Sequence, residues 1–178
     1  MRYSLKCHPD SPCAAATHIN LDVARPRASS LLLSYTVAGK IGDLLMPAVT
    51  APARIDELWR HTCFEAFIRA TPDGSYFEFN FAPSTQWAAY RFDGYRSGMR
   101  VAAEIGSPKI DVESTPECYT LQAALDLGEL SPASRWCLGL SAVIEETTGR
   151  KSYWALAHSS GKPDFHHPDC FAGELSPA

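Results

Sequence analysis

The 178-residue chain holds no apolar run near the roughly 20 residues that a membrane-spanning helix needs. It has no run of Lys or Arg, and 16 basic against 20 acidic residues leave a formal charge of -4. Nucleic acid and anionic membrane surfaces are therefore poor partners. Six cysteines at positions 7, 13, 63, 118, 137 and 170 include no Cys-x-x-Cys pair, which excludes a zinc ribbon on spacing. The N-terminal stretch MRYSLKCHPDSPCAAATHIN lacks the apolar core of a secretory signal. The expectation is a cytoplasmic protein with reduced cysteines, Cys63 and Cys137 serving as small hydrophobes inside strands. No Ser-His-Asp set, nucleophile elbow, phosphate-binding loop or dinucleotide fingerprint is present, so catalysis is not expected. Internal repeats and a sustained amphipathic helical period are missing as well.

What remains is alternation. The length fits one domain over residues 1–178, and 46% hydrophobic residues is the content of a globular protein. Leu31, Leu33, Tyr35 and Val37 alternate up to a Gly, and a connector broken by Pro47 and Pro52 follows. Residues 62–69 set Phe64, Ala66 and Ile68 against Cys63, Glu65, Phe67 and Arg69. Thr71-Pro72-Asp73-Gly74 is a hairpin signal, since Pro presets the turn and Gly accepts positive φ. The return strand would bury Phe77, Phe79 and Phe81 and turn Tyr76, Glu78 and Asn80 outward. Next, Ala88, Tyr90 and Phe92 alternate with Trp87, Ala89, Arg91 and Asp93. Strand patterns recur at 110–113, 119–127, 136–144, 153–158 and 170–175, with at most a helical turn at 56–60. Eight or more short strands predict an all-β fold, an antiparallel β-sandwich of jelly-roll type.

The stretch 58–99 carries the functional signal. On a sheet, side chains two apart share a face and neighbouring strands bring theirs side by side. Trp59, His61, Cys63 and Glu65 would form one column, Glu78 and Asn80 a second, and Trp87 with Arg91 a third. An aromatic plate, two carboxylates, an amide and a guanidinium suit a polyhydroxylated ligand: rings stack on C–H faces while polar groups take hydroxyls directionally. The plainer alternative is a solvated face with a Glu–Arg cross-strand ladder. His61 and Glu65 share a face but stand about 13 Å apart on a strand, too far to act as an acid–base pair.

The order LWRHTCFEAFI, Pro-Asp-Gly turn, YFEFNFAP, WAAYRFDGYR, followed later by YWALAH and GKPDFHHPDCFAGEL, resembles the DOMON-like superfamily. Within it, the bacterial group sharing its fold with family 9 carbohydrate-binding modules is the most similar. The motifs cover 58–99 and 153–175; the segment between agrees in strand pattern only. The resemblance implies a β-sandwich that binds a sugar or a haem on or near a concave sheet face. In the sugar binders two aromatic side chains clamp the ligand, while an acid and an Asn take its hydroxyls. Carried over, Trp59 is one wall, Glu65 the acid, Asn80 the amide and Trp154 the second wall. Glu78 stands where that pattern has a basic residue, and Arg91 completes the expected set. A small-molecule sugar ligand is thus expected, with no cofactor.

Two other classes are weighed. Haem held by Met and His, as in DOMON relatives, would use Met99, in a chain with only three methionines, and one of His158, His166 or His167. A polar site face and a core-plug role for Met99 oppose it. A structural calcium ion would need an oxygen-rich loop, and pairs such as Asp56-Glu57 and Glu145-Glu146 are too generic to assign one. A metal-dependent enzyme would draw on His158, Asp164, His166, His167, Asp169 and Cys170. The Gly- and Pro-containing GKPDFHHPDC stretch reads instead as an ordered loop anchored by Phe165.

Overall fold

Side-chain alternation becomes strand after strand in the computed structural model, which describes residues 1–70, 74–128 and 135–177. The Thr71-Pro72-Asp73 part of the expected hairpin turn lies outside the described residues, while Gly74 has the anticipated positive φ of 87°. Twelve strands are described: β1 (Arg2–Cys7), β2 (Ala16–Ala24), β3 (Ser30–Gly39), β4 (Cys63–Arg69), β5 (Tyr76–Phe81) and β6 (Trp87–Phe92). The second half adds β7 (Arg100–Val101), β8 (Lys109–Ser114), β9 (Cys118–Asp126), β10 (Trp136–Glu145), β11 (Lys151–Ala155) and β12 (Gly173–Leu175). Three short 3-10 turns, Ile41–Asp43, Leu58–Arg60 and Pro168–Cys170, are the only helical elements among the described residues. None of these is long and apolar enough to cross a membrane.

The strands form one continuous antiparallel path, β7-β6-β5-β4-β10-β11-β1-β2-β3-β9-β8, with β12 added on β10. The all-β, antiparallel, sandwich-like expectation is met, with one refinement. The two halves are not separate sheets, because β1 changes partner along its length. Arg2–Leu5 pair with β2, whereas Lys6 and Cys7 pair with Ala155 and Trp154 of β11. The sheet therefore curls over and packs against itself.

The two halves bury different amounts of themselves. In β2 and β9 buried and exposed residues alternate, giving one core face and one solvated face. In β4, β5, β6 and β10 nearly every residue is buried, so both faces are covered. Ile19, Leu21, Leu33, Tyr35, Leu121 and Ala123 from one half meet Phe64, Phe79, Phe81, Leu138, Leu140 and Ala142 from the other in the main core. A smaller cluster on the reverse face contains Cys63, Phe67, Tyr76, Tyr90, Phe92, Val143 and Phe165. Two packed layers thus sandwich one half of the sheet.

Phe64 ties the halves together. Its ring stacks parallel to Tyr119 at 6.1 Å and lies 5.1 Å from Tyr35. The Tyr35 hydroxyl reaches across the core and donates to the Glu65 main-chain oxygen at 2.7 Å. Removing the Phe64 ring leaves a cavity in a tightly filled region, so Phe64→Ala should lower the unfolding free energy by about 3–5 kcal/mol. Tyr35→Phe deletes one net hydrogen bond and should cost about 1 kcal/mol. Urea titrations of both variants read the two values. Equal losses would make the cross-sheet hydrogen bond, not the ring packing, the main tie.

Candidate functional site

A buried polar side chain can sit in a sheet only if register delivers it to the right face. Antiparallel pairing sets Glu65 opposite Asn80, and Asn80 opposite Ala88. On the other flank it sets Ser141 opposite Glu65, and Val143 opposite Tyr153. The reverse face is therefore built from Cys63, Glu65 and Phe67; Tyr76, Glu78 and Asn80; Ala88, Tyr90 and Phe92; Ser141 and Val143; and Tyr153.

This register corrects two sequence-based expectations. In β6 the residues opposite Glu78 and Asn80 are Tyr90 and Ala88, so Arg91 and Trp87 belong to the main-core face. The Arg91 guanidinium lies over the Phe77 ring, 5.5 Å from its centre. In β11 Trp154 pairs with Ala142 and turns into the main core, where its indole N–H donates to the Ser152 hydroxyl at 2.9 Å. Tyr153, one residue earlier, faces the site. In both strands the sequence alternates cleanly, but alternation alone does not say which set faces which side.

Loops close the reverse face into a cavity of about 350 Å³ over Glu65 and Glu78. Trp59 enters from the 3-10 turn Leu58–Arg60 rather than from a strand, and its ring meets Tyr90 edge-on at 5.7 Å. Arg96 and Met99 come from the turn after β6, and Pro163, Phe165 and His166 from the long loop after β11. Arg96 holds a left-handed backbone, φ 51°, which a non-glycine residue adopts at a cost of about 1 kcal/mol or more. Its main-chain N–H donates to the Tyr76 hydroxyl at 3.3 Å, and its guanidinium donates twice to Asp164 Oδ1, at 2.7 and 3.1 Å. Asp164 also accepts from the Tyr95 hydroxyl and from the His166 main-chain N–H. This cluster locks the turn after β6 to the long loop. Sequence reading ranked neither Arg96 nor Tyr153, although Gly98, with φ 65° and no room for a side chain beside Asp93, marks the turn that aims Arg96.

The floor is acidic and mostly buried. Glu65 is 3% exposed and Glu78 4%. Asn80 is fully buried and does not line the cavity; its amide donates to Glu78 Oε1 at 2.8 Å and accepts from the Cys63 thiol at 3.6 Å. Glu65 Oε1 is buried with no hydrogen-bond partner among the described residues. Burial, and then the charge of Glu78, push the Glu65 carboxyl well above the usual carboxylate range. The nearby Ser141 hydroxyl offsets this only in part. Burial raises Glu78 to about 7, against the hydrogen bond from Asn80 and the charge of Arg96. Burial alone would lift Asp164 too, but hydrogen bonds from Arg96 and Tyr95 outweigh it and hold that carboxyl below the usual range.

His166 stays neutral. Burial, reinforced by Arg96, lowers it to about 4, with Asp164 opposing. The Tyr76 hydroxyl, which accepts from the Arg96 main-chain N–H, is hydrogen-bonded to His166 Nδ1 at 2.8 Å. The other ring nitrogen, Nε2, faces Glu78 Oε2 at 3.8 Å. That separation exceeds a direct hydrogen bond.

The alternative cofactors fare as follows. Met99 and His166 line one cavity, yet the residues do not fit haem: the His166 ring is engaged by Tyr76, and the floor is a carboxyl pair where haem needs an apolar cleft. His158 and His166 do not converge on one metal. His158 stacks edge-on with His8 at 4.8 Å and bonds through Nε2 to the Lys6 main-chain oxygen at 2.8 Å. Among the described residues, no three His, Cys, Asp or Glu side chains cluster to hold a metal ion.

No family model and no curated protein sequence matches this chain. The fold does match the crystal structure of a candidate carbohydrate-binding protein from Bacteroides uniformis. The TM-score is 0.69 at 13% identity, over 100% of this chain and 86% of the other. At that identity the likeness establishes the fold.

The buried groups make a pH prediction. Glu78 moves from its usual 4.5 to about 7 on folding, so it keeps a proton that the unfolded chain releases. Stability from this group is full below pH 4.5 and falls as pH rises to about 7. His166 moves from 6.5 to about 4, which raises stability with pH across nearly the same window and masks the first effect. In Glu78→Gln the Glu78 contribution is gone, while those of His166 and Glu65 remain in both proteins. Its melting temperature relative to the wild type should climb between pH 4.5 and 7, as calorimetric melting across that range measures. A constant difference would show that Glu78 titrates normally.

Proposed function

We propose that the chain is a non-catalytic binding protein for a small polyhydroxylated ligand, a carbohydrate or sugar-containing metabolite, held over Glu65 and Glu78. One observation carries this reading: a cavity walled by aromatic rings has two directional carboxyl groups on its floor. Its volume lies in the range of small-molecule sites. Trp59, Phe92, Tyr153 and Phe165 offer apolar surface for the C–H faces of a sugar ring, and the carboxyls offer acceptors for its hydroxyls. The fold likeness to a candidate carbohydrate-binding protein supports the same reading.

Titration calorimetry against a panel of mono- and disaccharides tests it. At least one sugar should bind at millimolar concentration or better, and Trp59→Ala should weaken it about tenfold through lost stacking. Arg91→Lys, on the opposite face, should leave the affinity unchanged. A panel without binding at millimolar concentration removes the proposal, and sensitivity to Arg91 but not Trp59 places the ligand elsewhere.

A further inference from the structure

Within that reading, the floor of the cavity narrows the ligand class. Glu65 lines the cavity and is 3% exposed, and its Oε1 is buried with no hydrogen-bond partner among the described residues. Glu78 Oε2 stands 3.8 Å from His166 Nε2. A buried carboxyl oxygen without a donor is a costly arrangement that a ligand donor relieves. The groups around the two carboxyls are Cys63 on β4, Ser141 on β10, Tyr76 on β5, Tyr90 on β6, and Arg96 and His166 from the covering loops. His166 is neutral near pH 7, and Arg96, the one Arg or Lys lining the cavity among the described residues, is hydrogen-bonded to Asp164 and offsets the burial of Glu78 only in part. The floor therefore has two acids with no cation bonded to either.

We infer that the ligand brings the counter-charge itself, and that the site selects a hydroxylated small molecule with a free primary amine, of the 2-amino-2-deoxyhexose class, its ammonium placed between Glu65 and Glu78. The inference rests on the small-ligand reading above. An ammonium supplies three donors in a compact head, which meets the unpartnered Glu65 oxygen and the outer Glu78 oxygen together. Aromatic residues in the lining, Trp59 and Tyr153 among them, are suited to add cation–π attraction around a desolvated charge. An ammonium beside the pair also stabilises the ionised carboxylates that burial otherwise disfavours. Acidic sugars are disfavoured by the same floor, because a third carboxylate would meet two acids with Arg96 already engaged.

The test compares D-glucosamine, D-glucose, N-acetyl-D-glucosamine and 1,4-diaminobutane by titration calorimetry on the intact chain at pH 7.5. Glucosamine should bind at least tenfold more tightly than glucose, and acetylation should abolish that advantage by removing the charge. Glu65→Gln keeps the side-chain shape and should shrink the glucosamine-to-glucose ratio at least fivefold. Glu78→Gln serves the same purpose if the first variant does not fold. Equal binding of glucose and glucosamine overturns the inference and leaves the sugar reading standing. Diaminobutane binding as tightly as glucosamine keeps the cation site and overturns the sugar reading. An amine advantage that survives both glutamine variants places the cation elsewhere and overturns the inference.

Discussion

The site depends on register among β4, β5, β6 and β10, four neighbouring strands with both faces buried. Side chains alternate with a period of two, so a one-residue slip would send Glu65 and Glu78 into the main core and bring Phe64 and Phe79 out. The main core forbids that slip. Phe64 is wedged between Tyr35 and Tyr119, and the Tyr35 hydroxyl is bonded to the main chain at Glu65. The same packing that holds the sandwich together therefore fixes the carboxyl pair on the reverse face. Stability and site geometry share one set of contacts.

Burial then sets the chemistry. A carboxyl on a solvated sheet face would be ionised and of little consequence; on a covered face it keeps its proton, or needs a partner. The structure supplies an internal partner to Glu78 through Asn80 and, among the described residues, none to Glu65 Oε1. Around this uneven pair, the covering loops are fastened by the Arg96–Asp164 ion pair and by the Tyr76–His166 hydrogen bond. Both fastenings remove a group from circulation. Arg96 offsets the floor's charge only in part, and His166 is neither a cation nor a free ligand for iron.

Much of the fold was legible in the chain. Leu31 to Val37, Tyr119 to Leu127 and Trp136 to Ile144 alternate over enough residues that strand was the sole consistent reading. Ile19, Leu21 and Val23 carry the same period in β2, and their burial shows the signal was there to be used. β1 was harder, because a strand that changes partner midway has no single face to pattern. For the site, Glu65, Glu78 and Trp59 stood out by residue type, and the structure brings all three to one cavity. Arg91 and Trp154 stood out equally but fell on the other face. Their strands obey the same alternation, and which parity faces the site is decided by pairing with a neighbour distant in sequence.

Sequence alone determined that the chain is β-rich and that 58–99 concentrates aromatic, acidic and amide side chains at strand spacing, because both are local properties of composition and period. It also placed Glu78 where a base belongs in the sugar-binding pattern it resembles. Only the tertiary structure decided that the second face is buried rather than solvated. The covering turns and the long loop join the strands through contacts such as Arg96–Asp164, which span 68 residues. Burial turned what would be an exposed row of charges into two carboxyls raised above the usual range, and no local pattern encodes that change.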